Sequence, residues 1–196
     1  QKNLNAAGGM LPPIEGNTYE AGVKGEFLDG RLNATLSVYR MEQKNVAQYV
    51  GQVPIDPAFP SGPKRQAYEA IDGVVSKGFE AEINGEVLPG WNVTAGYSQF
   101  KARQPSGAEV SPLIPRKQFN LFTSYRLPGP LNALTIGGGA RWQSKTSAYQ
   151  TAAAVFGIPA LTQKAYLVAD LMARYQITDA LSAQLNVKNL FDKKYF

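Results

Sequence analysis

Phe79-Glu-Ala-Glu-Ile-Asn-Gly-Glu-Val87 decides the fold. Its apolar residues Phe79, Ala81, Ile83 and Val87 occupy one register, and Glu80, Glu82, Asn84 and Glu86 occupy the other. Successive side chains of a strand point to opposite faces, so this stretch predicts a strand with one oily and one carboxylate-rich face. Seven further segments repeat the pattern. Tyr19, Ala21, Val23 and Phe27 oppose Glu20, Lys24 and Glu26; Leu32, Ala34, Leu36 and Val38 oppose Asn33, Thr35 and Ser37. Trp91, Val93, Ala95 and Tyr97 oppose Asn92, Thr94 and Ser98, and Phe119, Leu121 and Tyr125 oppose Gln118, Asn120 and Ser124. Leu134, Ile136, Ala140 and Trp142 oppose Thr135, Arg141 and Gln143. The last two segments set Leu167, Ala169, Leu171, Ala173, Tyr175 and Ile177 against Asp170, Arg174 and Gln176, then Leu181, Ala183, Leu185 and Val187 against Ser182, Gln184, Asn186 and Lys188.

The connections alternate in length. Leu28 to Arg31, Leu88 to Gly90, Leu127 to Asn132 and Thr178 to Ala180 read as tight turns, whereas Gln43 to Ala70, Gln104 to Pro115 and Ser144 to Gln163 read as long loops. Outer-membrane barrels carry short periplasmic turns and long extracellular loops, so the first strand is expected to run inward and the last outward. Both ends of this stretch then lie outside the cell. A self-contained barrel starts and finishes in the periplasm, so the expectation is a stretch of a larger barrel.

A soluble sandwich alternates too, with its apolar face as core and its polar face in water. Two features favour the membrane. The segments run about 9 to 12 residues, enough to cross a bilayer when tilted, with alanines and end-placed aromatics on the oily face. Opposite charges share the polar register, as Glu20 with Lys24 or Asp170 with Arg174, which suits a packed lumen better than bulk water.

Composition excludes several other classes. No apolar run approaches the roughly 20 residues of a spanning helix, and no signal peptide is visible at the start, so a leader is expected upstream. Cysteine and histidine are both absent. A conventional zinc site, a Ser-His-Asp triad and a Cys-His pair therefore cannot be assembled here. The net charge is +5, but basic residues are dispersed, with pairs only at Lys64-Arg65, Arg116-Lys117 and Lys193-Lys194. Nucleic acid is not an expected partner; the pairs suit solvent or lipopolysaccharide.

Glu15-Gly-Asn-Thr-Tyr-Glu-Ala-Gly-Val-Lys-Gly-Glu-Phe, continuing through Leu28-Asp-Gly-Arg-Leu-Asn-Ala-Thr-Leu-Ser-Val-Tyr-Arg to Met41-Glu-Gln-Lys-Asn-Val, resembles a barrel hairpin of TonB-dependent outer-membrane receptors. Three more pieces agree: Gly73-Val-Val-Ser-Lys-Gly-Phe-Glu-Ala-Glu-Ile-Asn-Gly-Glu, Ile114-Pro-Arg-Lys-Gln-Phe-Asn-Leu-Phe-Thr-Ser-Tyr and Leu185-Asn-Val-Lys-Asn-Leu-Phe-Asp-Lys-Lys-Tyr. The resemblance covers nearly the whole chain except its loops and is nearest to the ferric-siderophore branch, which takes hydroxamate-type and pyoverdine-like chelates.

What the resemblance implies is an all-β, transmembrane antiparallel β-barrel of about 22 strands closed by an N-terminal plug. Residues 1–196 would be a C-terminal portion of about eight strands, without the plug, the earlier strands or the closing strand. Such a receptor imports a ferric siderophore into the periplasm, drawing energy from the TonB-ExbB-ExbD complex through the N-terminal region. Iron arrives already wrapped, so no intrinsic cofactor is implied and no bond is made or broken by the protein. The surrounding partners would be outer-membrane lipid and lipopolysaccharide.

Candidate ligand contacts are the loop aromatics Tyr49, Phe59, Tyr68, Tyr149 and Phe156, and Phe100 and Arg141, which have polar parity near the outer rim. None lies in a family-wide motif. The plainer expectation is that the aromatics pack loop on loop and that Arg141 pairs with a carboxylate. A same-fold receptor for cobalamin, a sugar or a metal complex would share every motif. A small eight-stranded adhesin or enzyme is a second alternative. Gly137-Gly-Gly139 lies inside a strand with no helix after it, so close backbone approach to a plug is favoured over phosphate cradling. Asp56 to Pro63 reads as an irregular loop, Asn189-Leu-Phe-Asp192 as a structural signature, and the Asn92-Val-Thr94 sequon lies within a strand.

Overall fold

The computed structural model describes residues 3–110, 113–147 and 161–195. In chain order the strands are β1 (Glu15–Phe27), β2 (Leu32–Lys44), β3 (Val46–Pro54), β4 (Lys64–Ile71), β5 (Val75–Leu88), β6 (Trp91–Arg103), β7 (Lys117–Arg126), β8 (Leu134–Gln143), β9 (Thr146–Ser147), β10 (Thr162–Gln163), β11 (Tyr166–Gln176) and β12 (Ser182–Val187). Eight of them form one sheet in the order β1-β2-β5-β6-β7-β8-β11-β12. These are the eight segments read from parity. Sequence neighbours pair throughout, so the sheet is an up-and-down meander, and the registers from β6 to β12 are antiparallel.

Contacts divide the described residues into two units. One draws on Gln1–Tyr19, Tyr39–Lys77 and Ala102–Val110; the other on Glu20–Val38, Gly78–Lys101 and Ser111–Phe196. The first is built on a two-stranded ribbon where the sequence predicts a loop. Between Gln43 and Ala70 the backbone pairs from Val46 opposite Ile71 to Pro54 opposite Lys64, with a bulge between Tyr49 and Gly51. Prolines and a weak alternation hid this ribbon. Its Asp56 to Pro63 tip turns as expected, with Ala58 N donating to Asp56 Oδ1 at 2.9 Å. Residues 3–11 fold back along β4: Tyr68 N donates to Leu4 O at 2.9 Å, and Arg65 donates to Asn5 O and Ala6 O, each at 2.9 Å.

The second unit holds most of the wide sheet and has no dry interior. Among the described residues no large side chain is fully buried, and the buried apolar residues are Leu11, Ala67, Ala102 and Val168. Instead Val23 is 67%, Ile83 43%, Leu171 49% and Leu185 66% exposed, all on the predicted oily face. A sandwich would have covered these residues. Apolar surface this extensive on a soluble monomer would drive aggregation, whereas lipid satisfies it. The Thr123 hydroxyl at that parity on β7 is internally satisfied: Thr123 Oγ1 accepts from Trp91 Nε1 at 2.7 Å and donates to Asn92 O at 2.9 Å. Aromatic pairs also sit on this face, with Phe79 5.6 Å from Tyr97 and Trp91 6.3 Å from Tyr125 between ring centres.

Parity fails once. Leu88 lines the apolar side together with Trp91, Leu171 and Leu185, although strict alternation from Ile83 would place it with the carboxylates. The phase changes at Gly85, which has φ +145°. A side chain there would start 2.0 Å from Arg31 O, so the backbone of β5 presses against the preceding turn. This corrects the single register read through Val87. Beyond Gly85, Glu86 shares a face with Leu88 rather than with Glu82, pairs with Arg31 at 3.6 Å and accepts from Gly90 N at 2.6 Å. One extra residue in a strand inverts everything after it.

Candidate functional site

The polar face of the wide sheet carries the charge. Near β1, β2 and β5 a pocket of about 530 Å³ is lined by Glu20, Lys24, Thr35, Ser37, Glu80 and Glu82. Further along, a second hollow brings together Glu82, Asn84, Thr94, Phe122, Arg141 and Asp170. Thr94 Oγ1 donates to Asn84 Oδ1 at 3.0 Å. Arg141 Nη2 donates to Asp170 Oδ2 at 3.3 Å, and the other carboxylate oxygen of Asp170 accepts from Asn189 N at 2.8 Å. Asp170 thereby ties the Asn189-Leu-Phe-Asp192 turn to the wall. Asn189 (φ +51°) and Asp192 (φ +47°) adopt left-handed backbone there, and Asn189 Oδ1 accepts from Lys193 N at 2.9 Å. An Asn at this place suits both the backbone and the bond.

Phe122 was missed from the sequence, although its parity with Asn120 and Ser124 was the available signal. It is 46% exposed on the polar face and pairs in register with Gly139. The glycine run has a visible local role. A Cβ on Gly139 would sit 3.7 Å from Phe122 Cδ2, and one on Gly137 would sit 2.7 Å from Thr123 O. The absent side chain at Gly137 leaves room for Met172, whose Cε would lie 3.1 Å from a Cβ there.

The candidate contacts fall into separate groups. Tyr49 and Tyr68 are cross-strand partners on the ribbon, with ring centres 5.8 Å apart in an edge-on arrangement, and Tyr68 Oη donates to Gln66 Oε1 at 2.6 Å. Phe59 sits at the ribbon tip, 67% exposed. Phe100 lies near the loop end of β6, with the Arg116 guanidinium 4.9 Å from its ring centre. Arg141 has a carboxylate partner, as the plainer expectation held. Tyr149 and Phe156 lie outside the described residues. Among the described residues no group of three or more His, Cys, Asp or Glu is placed to hold a metal ion.

A meandering sheet with one face for lipid and one charged, wet face is the wall of a transmembrane β-barrel. The family model described as TonB dependent receptor-like, beta-barrel matches residues 2–190. The chain is 45% identical over 195 residues to the ferripyoverdine receptor of Pseudomonas aeruginosa, covering 95% of this chain and 23% of that protein. It is 42% identical over 200 residues to the ferric-pyoverdine 358 receptor of Pseudomonas putida, covering 100% of this chain and 23% of that one. It also superposes on the crystal structure of the Pseudomonas aeruginosa ferripyoverdine receptor bound to ferripyoverdine with a TM-score of 0.80 and 43% identity, over 99% of this chain and 25% of that chain. The chain therefore belongs to the TonB-dependent receptor β-barrel family and is a barrel segment of the bacterial outer membrane. It spans about a quarter of the length of the relatives it matches. In barrels of this family the charged face of the wall lines the lumen, short turns lie on the periplasmic side and long loops on the extracellular side.

Proposed function

We propose that the full-length receptor imports a ferric siderophore of the pyoverdine class, with TonB-ExbB-ExbD supplying energy through the part of the protein that precedes this segment. The observation that carries the reading is the 42% and 45% identity to two ferric-pyoverdine receptors across essentially the whole segment, outer ribbon included. Exposed aromatics on that ribbon suit a ligand recognised through an organic shell, since a few well-placed groups set orientation in such pockets. Iron enters as cargo inside its chelate and requires no histidine or thiolate from the receptor. No covalent step is involved.

The test is a titration of the purified full-length receptor in detergent with ferripyoverdines, a ferric hydroxamate and cobalamin, read by tryptophan fluorescence. Saturable quenching by at least one ferripyoverdine is expected. Quenching by cobalamin alone would overturn the proposal and favour a same-fold receptor for another substrate. Tyr49→Ala and Phe59→Ala are each expected to weaken ferripyoverdine binding about tenfold, the usual scale for truncating an aromatic anchor. Unchanged affinity in both would return these residues to loop packing.

A further inference from the structure

We propose that Arg126 and Arg174 form an oxyanion subsite on the lumen wall at the periplasmic end, taking a carboxylate or phosphate group. The inference goes beyond siderophore uptake and does not depend on which cargo the receptor carries.

The register creates the arrangement. Arg126 of β7 and Arg174 of β11 both face Thr135 of β8, so the three side chains stand side by side on the lumen face of adjacent strands. Neighbouring strands lie about 4.8 Å apart, which puts the two arginine backbones about 10 Å apart, within reach of a common anion. Gln184 continues the same rung on β12 opposite Arg174, so no carboxylate interrupts it. The two arginines line one pocket of about 500 Å³ with Thr135 and Gln176.

Both side chains are held but not neutralised. Arg126 Nε donates to Asn132 O at 2.8 Å, and Arg174 Nη2 donates to Gln176 Oε1 at 3.4 Å. Each tether engages one N–H of a guanidinium that carries five, and both residues line the pocket. Asp179 lines the pocket from the β11–β12 turn, yet among the described residues no carboxylate lies within 4.0 Å of either guanidinium. On the same sheet Arg31 and Arg141 each have one. Like charges this close on one face repel. A carboxylate or phosphate between them would convert that repulsion into two forked, charge-assisted contacts, with the Thr135 hydroxyl as a further donor.

The occupant is either a free oxyanion or a carboxylate from elsewhere in the receptor's own polypeptide, and the two sources separate experimentally. Full-length receptor in detergent is compared with Arg126→Gln/Arg174→Gln and with the single Arg174→Gln, should the double variant fail to become heat-modifiable. Inorganic phosphate is titrated by calorimetry against chloride at constant ionic strength, and thermal midpoints are followed at low and high sodium chloride. Phosphate binding to the wild type that weakens about tenfold or more in the variants supports the subsite with a free anion. Silence toward phosphate, with a variant midpoint several degrees lower at low salt and a gap that narrows at high salt, supports it with a carboxylate of the receptor. The proposal is overturned if phosphate is silent and the variants match the wild type, melt higher, or lose stability by the same amount at every salt concentration.

Discussion

Gly85→Val is expected to block assembly of the barrel or destabilise it by more than about 4 kcal/mol, in the range reserved for backbone strain and overpacking. Two costs combine. Gly85 has φ +145°, a conformation closed to a β-branched residue. Its side chain would also begin 2.0 Å from Arg31 O and 2.8 Å from Leu32 Cα, both backbone atoms. Neither can retreat cheaply, because Arg31 O already accepts from Glu86 N at 2.9 Å. Gly96→Ala is the control: nothing lies within 4 Å of its added Cβ, and the change is expected within about 0.5 kcal/mol of the wild type. Urea unfolding of the full-length receptor in bilayers, with heat-modifiable migration as the folding assay, separates the two. A valine variant as stable as the alanine control would remove the bulge from the description.

Leu171→Arg carries the second large effect. Leu171 stands mid-strand on β11 with half its surface uncovered, facing lipid. An arginine at that depth is expected to cost about 2–4 kcal/mol, falling toward zero near the interfaces. Leu88→Arg, beside the tight turn at the strand end, should therefore cost clearly less. Asn84→Lys, on the lumen face next to Glu82, is expected to cost under about 1 kcal/mol, as exposed charges generally do. The informative outcome is the ordering of these three variants by unfolding midpoint. Equal penalties at Leu171 and Asn84 would mean that the two faces meet the same medium.

The wide sheet was legible because each of its faces meets a different medium, and a period of two records that difference directly. Phe79 with Glu80 and Leu185 with Gln184 are enough to phase their strands. The ribbon was not legible for the same reason. Neither of its faces is a continuous apolar stripe, so Val46–Pro54 does not alternate cleanly, and Pro54, Pro57, Pro60 and Pro63 read as loop. Gly85 did carry a signal, since a glycine inside a strand pattern marks bulges, but which way the phase shifts depends on the Arg31 turn lying beside it. The candidate site was legible only in part. Arg141 was placed on the correct face, and its partner Asp170 follows from register. The grouping of Tyr49 with Tyr68 needed the ribbon, and the arginine rung needed three strands aligned to the residue, which no single segment encodes.

The decisive measurement exploits the absence of cysteine in this segment. Single cysteines introduced at Phe79, Ile83, Leu171 and Leu185, and at Glu80, Asn84, Thr94 and Asn120, are labelled with an environment-sensitive fluorophore in the full-length receptor, with any native cysteines outside the segment replaced. Brominated lipids then report which labels touch acyl chains. Strong quenching at the first four positions and little at the second four is the expected pattern. Quenching that ignores the alternation, or that favours the carboxylate face, would contradict a wall with lipid on one side and an aqueous lumen on the other.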